Sequence, residues 1–207
     1  MKKNKTNKKF VYLISPNKIE KDNFFKDLNS LLKTKKIKFF QLRLKKETNK
    51  NKLLIGKKIK KICRKYGVKF LVNDDPILAK KLNADGCHLG QKDMNIIKAR
   101  KIVGNKIIGI TCHNSIKLAK SAIKQGANYL AFGAFYSSKT KKIKYKASLK
   151  ILRNVKKITT LPIVVIGGIK LNNYKKLLLN KANFLAISGY IWNNKKYKPL
   201  EAIKKLK

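Results

Sequence analysis

The sequence is short of acidic residues, of cysteines and of long apolar runs, and each shortage excludes a class of protein. Its longest apolar stretch, 161–169, falls far short of the roughly 20 residues that a membrane-spanning helix needs. The apolar part of the basic N-terminal segment stops at Pro16, so we expect no secretory signal peptide. The three cysteines, Cys63, Cys87 and Cys112, are odd in number and lack Cys-x-x-Cys spacing, which favours reduced thiols and a cytoplasmic location.

The 9 acidic residues stand against 53 Lys and Arg, which gives a net charge of +44 over 207 residues. A chain this basic suggests a nucleic-acid-binding protein, and we keep that as the alternative from another functional class. However, Arg43, Arg64, Arg100 and Arg153 are its only arginines, and the lysines are spread over every segment. Lys, Asn and Ile are over-used together and share A/T-rich codons, so codon drift accounts for the charge better than a specific nucleic-acid partner does.

Short apolar strands alternate with amphipathic stretches along the chain. The predicted strands are 10–15, 39–45, 69–74, 86–90, 106–112, 129–136, 162–168 and 183–191. The predicted helices lie near 22–33, 50–65, 76–82, 95–101, 115–125, 148–157, 172–180 and 198–206. Eight such units predict an α/β protein with a single (β/α)₈ TIM barrel, because eight strands close a parallel sheet without edges. A doubly wound open sheet is the alternative. We expect one catalytic domain over 10–207 and a basic disordered tail over 1–9.

Residues typical of helix ends support these boundaries. Ser115 and Asn172 stand where N-caps are expected, and Gly67 and Gly126 follow predicted helices as C-terminal glycines.

The scarce acids are concentrated in one part of the chain. Asp74, Asp75, Asp85 and Asp93 are four of the nine, all within twenty residues. Asp74 and Asp93 follow neighbouring predicted strands, so they could share one hard cation, for which Mg²⁺ is the natural choice beside phosphates. The alternative role is helix capping. We expect it for Asp75, which precedes Pro76, and for Asp93 capping is compatible with metal binding.

Other polar residues also collect at predicted strand ends, where a barrel of this kind has its active site. The period of two along strand 2 places Gln41, Arg43 and Lys45 on one face, which suits an anion site; a solvated edge strand is the alternative. Hydroxyls and lysines follow strand 6 in the segment 136–141. Glycines and a serine follow strands 7 and 8, at Gly168 and Ser188, where backbone N–H groups commonly bind phosphate.

Two Cys-His pairs, 87–88 and 112–113, are compatible in composition with zinc ligands. Neighbouring side chains on a strand point to opposite faces, so a pair cannot converge on one ion, and we expect buried structural cysteines. If Thr111 faces inward, His113 does so too.

Seven segments together resemble the successive motifs of the thiamine-phosphate synthase family, in order and one per strand end. They are QLRLK (41–45), VNDD (72–75), ADGCHLGQKD (84–93), GITCHN (109–114), GAFYSSKTK (133–141), VIGGI (165–169) and AIS (186–188). The resemblance covers roughly residues 10–192. It implies a (β/α)₈ barrel that joins a hydroxymethylpyrimidine pyrophosphate to a thiazole phosphate or its 2-carboxy form, releases pyrophosphate and uses Mg²⁺.

The resemblance also implies the site residues. Those expected at the pyrimidine pyrophosphate are Gln41, Arg43, Lys45, Asn73, Thr111 and Lys141. Those expected at the thiazole phosphate are Ser138, Thr140, Gly168, Ile187 and Ser188, and the expected Mg²⁺ ligands are Asp74 and Asp93. Lys141, Arg43 and Thr140 are the expected catalytic residues. The sequence departs from the family at Ser137-Ser138, at Thr111 and at Lys142-Ile143, which puts fine substrate contacts in question more than the reaction.

A thiazole tautomerase of the same barrel superfamily is the nearest alternative. The paired aspartates and the Thr-Lys loop favour the synthase, whereas Ser188-Gly189 and His113 would also suit the tautomerase. The expected partners are small phosphorylated substrates, with no specific nucleic acid and no membrane. The sequence leaves the oligomeric state open, with a homodimer among the states it allows.

Overall fold

The computed structural model describes residues 9–19, 21–137 and 144–207, and of Lys21 and Asp22 only the backbone. Its strands are β1 (Val11–Ile14), β2 (Ile37–Leu42), β3 (Lys69–Asn73), β4 (Gly86–Leu89), β5 (Ile107–His113), β6 (Tyr129–Gly133), β7 (Ile163–Ile166) and β8 (Phe184–Ile187). Each pairs in parallel with the next, and β8 pairs with β1, so the sheet closes into a barrel. The predicted (β/α)₈ barrel is confirmed and the open sheet is excluded. Residues 1–8 of the predicted tail lie outside the described residues.

Helices connect the strands and cover the outside of the barrel. They are α1 (Lys21–Lys33), α2 (Asn49–Lys65), α3 (Pro76–Lys81), α4 (Ile96–Val103), α5 (Ile116–Lys124), α6 (Leu149–Lys156), α7 (Tyr174–Leu179), α8 (Gly189–Trp192) and α9 (Pro199–Lys205). In α2, Ile55, Ile59 and Cys63 recur every four residues and form the buried face. None of the described helices is long and apolar enough to cross a membrane.

Most of the predicted helix ends are confirmed. The Ser115 side chain accepts a hydrogen bond from the Leu118 N–H as the N-cap of α5. Gly67 and Gly126 follow α2 and α5 with φ of 60° and 84°, values that favour glycine. The prediction at Asn172 is wrong by one residue, because Asn173 precedes α7 and its side chain accepts from the Lys170 N–H.

Most of the predicted strands end one to four residues earlier than the sequence pattern indicates, and two of these differences affect predicted site residues. β2 stops at Leu42, where its pairing with β3 ends at Val72, so Arg43 and Lys45 belong to the following loop. β8 stops at Ile187, and Gly189–Trp192 forms α8 in place of strand. The reason is tertiary: the Trp192 indole N–H donates to the Ile14 carbonyl at 2.7 Å and its ring packs 5.2 Å from the Phe24 ring.

The core has two layers, one between barrel and helices and one inside the barrel. The inner layer comprises Tyr12, Ile14, Phe39, Leu71, Tyr129, Ala131, Val164 and Ala186. The three cysteines are free thiols buried in the outer layer, as expected. Burial raises the pKa of Cys87 and of Cys112 to about 12, so both stay protonated at neutral pH.

Candidate active site

The carboxyl ends of β2, β3 and β4 bring one lysine and two aspartates together. Lys45 Nζ lies 2.9 Å from Asp74 Oδ2. The Asp74 and Asp93 side chains are within hydrogen-bonding distance of each other. The two aspartates were predicted to share a site because they follow neighbouring strands, and the structure does bring them together.

Local backbone geometry holds both carboxylates in place. Asp74 has a φ of 64°, which is uncommon for a residue with a side chain, and its N–H donates to the His88 carbonyl of β4 at 2.8 Å. Asp93 Oδ2 accepts the Gly90 N–H at 2.6 Å and so stays in the turn after β4.

Of the two aspartates considered as helix caps, one caps a helix and the other does not. Asp75 caps α3 by accepting the Leu78 N–H at 2.8 Å, as predicted. The suggestion that Asp93 also caps helix 4 is wrong, because the helix begins later and Asn95 takes that role by accepting the Lys98 N–H. The Asp93 carboxylate therefore contacts the Gly90 N–H within its own turn and the Asp74 side chain, and it does not cap α4.

The two carboxyls affect each other's ionisation. Burial favours the protonated form of Asp74, but hydrogen bonds from Lys45 and Asp93 outweigh it and hold its pKa below the usual range. Burial raises the pKa of Asp93, and the neighbouring Asp74 raises it further. Such opposite shifts are expected of adjacent carboxyls that repel each other when both are ionised, and a bound divalent cation would relieve that repulsion.

The donor set fits magnesium better than a transition metal. Among the described residues, no group of three or more His, Cys, Asp or Glu side chains could hold a metal. Two carboxylates suit Mg²⁺, which keeps water ligands and takes further oxygens from substrate phosphates. Asp74 and Asp93 are the residues that would hold it.

A continuous chain of hydrogen bonds crosses the barrel next to this cluster. Gln41, only 2% exposed, donates from Nε2 to Tyr12 Oη at 2.9 Å. Tyr12 Oη lies 2.8 Å from Tyr129 Oη, which lies 2.8 Å from His88 Nδ1. His88 Nε2 lies 2.9 Å from Thr111 Oγ1. The predicted residues Gln41 and Thr111 are thus joined by three residues for which we predicted no site role.

The members of this chain are neutral at physiological pH. Burial raises the pKa of Tyr12 and of Tyr129 well above the usual range, so both phenols keep their hydrogens. Burial lowers the pKa of His88 to about 4, against the opposing effect of Asp74. A neutral imidazole has one donor and one acceptor nitrogen, so His88 can pass a hydrogen bond from one neighbour to the next.

Arg43 is held toward the loop after β1. Its Nη1 donates to Asn17 Oδ1 at 3.1 Å, and its N–H donates to Ser15 Oγ at 2.9 Å. Asn17 and Ser15 had no predicted role, because a lone Asn or Ser in a loop carries no distinguishing sequence signal. Asn73, at the end of β3, pairs in register with His88 and precedes Asp74.

The carboxyl ends of β7 and β8 carry three of the residues predicted for the thiazole phosphate, Gly168, Ile187 and Ser188. Gly168 has a φ of 58°, and a Cβ there would lie 2.3 Å from the Ser137 carbonyl oxygen. Ser188 Oγ donates to the Ser15 carbonyl at 3.1 Å, and Ile187 is the buried last residue of β8. The predicted residues Ser138, Thr140 and Lys141 lie outside the described residues, directly after the segment that Gly168 touches.

β5 shows the alternation on which the zinc hypothesis was rejected. Cys112 is buried among the helices, whereas Thr111 reaches His88 inside the barrel. The alternation does not continue to His113, because the register of β5 against β6 shifts between Thr111 and His113, which has a φ of 52°. The His113 ring stacks on Tyr145 with centroids 4.1 Å apart. Cys87 and His88 divide between the two faces in the same way.

Comparisons with known proteins show the family to which the chain belongs. Residues 11–191 match the family model described as thiamine monophosphate synthase. A thiamine-phosphate synthase of Pelagibacter ubique (strain HTCC1062) is 79% identical over 207 residues, 100% of both chains. One of Rhodospirillum centenum is 36% identical over 185 residues, 89% of each chain. The solved thiamine phosphate pyrophosphorylase from Pyrococcus furiosus has a TM-score of 0.83 at 27% identity, over 97% of this chain and 94% of that one. The chain belongs to the thiamine monophosphate synthase family.

Proposed function

We propose that the chain joins 4-amino-2-methyl-5-pyrimidinylmethyl diphosphate to 4-methyl-5-(2-phosphoethyl)thiazole, or its 2-carboxy form, to give thiamine monophosphate and pyrophosphate, with CO₂ as a further product from the 2-carboxy form. The relatives named thiamine-phosphate synthase support this transferase activity and do not favour the tautomerase or the nucleic-acid alternative. The observation that carries the proposal is the Lys45–Asp74–Asp93 cluster at the carboxyl end of the barrel, which suits a pyrophosphate and its cation.

The chemistry needs a stabilised leaving group and no protein nucleophile. The bond between the methylene carbon and the pyrophosphate oxygen breaks, and its electron pair leaves with the oxygen. The electron-rich aminopyrimidine stabilises the positive charge left on the methylene, and the thiazole nitrogen then forms the new C–N bond. A bound Mg²⁺ supplies charge neutralisation for the departing pyrophosphate. The three cysteines are buried and protonated, in accord with a reaction that uses no thiolate.

The cationic and polar side chains at the ends of β2, β3 and β5 bind the pyrophosphate end of the pyrimidine substrate. Arg43, oriented by Asn17, and Lys45, paired with Asp74, neutralise the growing negative charge. Asn73 and Thr111 donate further hydrogen bonds, and Gln41 contacts the pyrimidine. Lys141 joins them as the residue expected to meet the pyrophosphate as it leaves, with Arg43 and Thr140 as the other catalytic residues.

The thiazole phosphate, which does not react at its phosphorus, binds at the other side of the barrel mouth. Gly168 offers a backbone N–H that a side chain would obstruct, and Ile187 and Ser188 contribute from the end of β8. Ser138 and Thr140 complete this subsite from the loop after β6. We further propose a cytoplasmic enzyme that needs no membrane and no specific nucleic acid, in keeping with its free buried thiols.

A turnover assay with both substrates and Mg²⁺ tests the function directly. We expect thiamine monophosphate and pyrophosphate in equal amounts, no product when either substrate is omitted, and loss of turnover on chelation of Mg²⁺. Isomerisation of the thiazole carboxylate without pyrophosphate release would point to the tautomerase. Absence of both reactions, with salt-sensitive binding to RNA or DNA, would support the nucleic-acid alternative.

A further inference from the structure

The hydrogen-bond chain across the barrel joins two residues that the reaction uses at different ends of the pyrimidine substrate. Gln41 lies at the end of β2 and Thr111 on β5, and Tyr12 of β1, Tyr129 of β6 and His88 of β4 connect them through four contacts of 2.8–2.9 Å. The interior around the chain is apolar, comprising residues such as Phe39, Leu71 and Val164. Polar side chains in such surroundings are costly unless they bond to one another.

Each contact in this chain has a direction, and the chemistry of the groups links the directions. The Gln41 amide nitrogen can only donate, so Tyr12 Oη accepts from it and gives its own hydrogen to Tyr129. Tyr129 in turn gives its hydrogen to His88 Nδ1, and His88 then carries its hydrogen on Nε2 and donates to Thr111 Oγ1. Because each hydroxyl has one hydrogen, this direction leaves the Thr111 hydrogen available for a further acceptor.

The opposite direction has the opposite consequence. If Gln41 turned its amide oxygen toward Tyr12, that oxygen would accept from Tyr12 and every bond in the chain would reverse. Thr111 would then donate to His88 and have no hydrogen left for a ligand. The orientation of the Gln41 amide therefore determines whether Thr111 can act as a donor.

We propose that Tyr12, Tyr129 and His88 are positioning residues that couple recognition of the aminopyrimidine at Gln41 to hydrogen-bond donation by Thr111 at the pyrophosphate. The inference rests on the proposed function. An amino group on the pyrimidine donates to the Gln41 amide oxygen, which keeps the amide nitrogen on Tyr12. The Thr111 hydrogen is then directed at a pyrophosphate oxygen, where negative charge grows as the bond breaks.

A double-mutant cycle between the two ends measures this coupling. Gln41→Met and Thr111→Val remove the terminal hydrogen bonds while keeping similar volume. We expect each to lower kcat/KM for the pyrimidine diphosphate, and the double variant to lose at least fivefold less than the product of the two single losses. Thr111→Ser, which keeps the hydroxyl, should restore most of the activity.

The same cycle repeated without one central hydroxyl separates the chain from direct contacts through the substrate. In a Tyr129→Phe background we expect the double loss to equal the product of the single losses within twofold, while KM for the thiazole phosphate stays unchanged. Tyr12→Phe breaks a different part of the chain and should give the same result, so one unstable variant does not decide the outcome.

Tyr174→Phe is the matched control. Tyr174 is also buried, and its hydroxyl also makes two hydrogen bonds, both to the backbone of Lys207. The coupling should persist in that background. Coupling that is absent in the parent enzyme, or that persists in both Tyr129→Phe and Tyr12→Phe, would overturn the proposal while leaving the synthase activity intact. If the parent enzyme forms no thiamine monophosphate, the proposed function fails and the coupling with it.

Discussion

The two ends of the barrel use similar polar residues for different purposes. At the amino end, Asp85, Asn128 and Asn183 each precede an even-numbered strand, and each follows a buried alanine. Their side-chain oxygens accept the N–H groups of Phe70, Ile108 and Ile163, at 2.8–2.9 Å, on the preceding strand. Their own N–H groups donate back to the carbonyls of the same three residues. This repeated pairing bonds one strand to the next and leaves these oxygens engaged in the fold.

At the carboxyl end, polar side chains are gathered against one another. Asp74 and Asp93 place two carboxylates together, an arrangement that costs stability unless a proton, a lysine or a cation compensates. Stability alone does not require such a pair. The polar residues at the amino end hold strands together, whereas those at the carboxyl end are the ones that we propose bind a ligand.

Two of the arginines, Arg100 and Arg43, differ in the same way. Arg100 donates to the carbonyls of Gly104, Lys106 and Gly126 and to Asn128 Oδ1, and so ties together the loops at the amino end. Among the described residues, the Arg43 guanidinium has one hydrogen-bond partner, Asn17 Oδ1. The Arg100 guanidinium binds several acceptors of the fold at once, and the same capacity suits Arg43 to the proposed pyrophosphate site.

The largest expected effect comes from exchanging an aspartate at each end. Asp74→Asn or Asp93→Asn should lower kcat/KM by about 10²-fold or more, because the cation loses a ligand. At pH 7 the free energy of unfolding should fall only modestly in Asp74→Asn, whose ionised carboxylate the fold stabilises, and should not fall in Asp93→Asn, whose pKa is raised. Asp85→Ala should do the reverse, with a loss of about 1–3 kcal/mol of stability and unchanged turnover per folded molecule. Kinetics at varied Mg²⁺ and urea denaturation measure both. Near-normal activity of either site variant at low Mg²⁺ would contradict the metal assignment.

Two glycines with nearly the same φ offer a second test. Gly168 has a φ of 58° and its added Cβ would meet backbone atoms of Tyr136 and Ser137, whereas Gly104 has a φ of 60° with open space around it. Gly168→Ala should raise KM for the thiazole phosphate tenfold or more, because it displaces the segment that leads into the phosphate loop. Gly104→Ala should cost about 1 kcal/mol of stability from its φ alone and leave both KM values unchanged. Equal kinetic effects would show that φ strain, and not the phosphate site, is being measured.

A third test uses pH. The folded-state pKa of His88 is about 4, below the ordinary value of 6.5, so the unfolded chain binds more protons between these values. Stability should therefore fall as the pH falls from about 6.5 to 4, by roughly 1–2 kcal/mol for this partly buried ring. Asp93, whose pKa is raised, has the opposite effect on the pH dependence of stability. We therefore compare the parent protein with His88→Gln, which lacks the imidazole and keeps Asp93 and the other titrating groups. The free energies of unfolding of the two proteins, plotted against pH, should converge as the pH falls through this window. Parallel plots would contradict the lowered pKa of His88.

The sequence predicted the parts of this molecule that depend on local pattern. The alternation of apolar strands with amphipathic helices was enough to predict the barrel. The position of polar residues at strand ends was enough to predict that Lys45, Asp74 and Asp93 lie together. Tyr12 and Tyr129 could not be recognised, because an inward-facing tyrosine reads as an ordinary core aromatic until its partner on another strand is known. The α8 helix was missed for a similar reason, since the contact of Trp192 with β1 that fixes it spans most of the chain.

The smallest expected effect on activity comes from removing surface lysines. This test compares lysines exposed on the helices with Lys45, which lies in the proposed site. The lysines Lys57, Lys61, Lys81, Lys101, Lys117, Lys120, Lys175 and Lys176 are exposed on the helices. Exchanging these eight for Gln lowers the net charge from +44 to +36, yet each is screened over about 8 Å at physiological salt. We expect kcat/KM to change less than twofold. Lys45→Gln removes one charge from the same total, but that charge contacts Asp74 in the site, and the loss should exceed tenfold. If the eight exchanges lowered activity as much as Lys45→Gln does, the surface field would be part of the function, and the excess of lysine could no longer be attributed to codon drift.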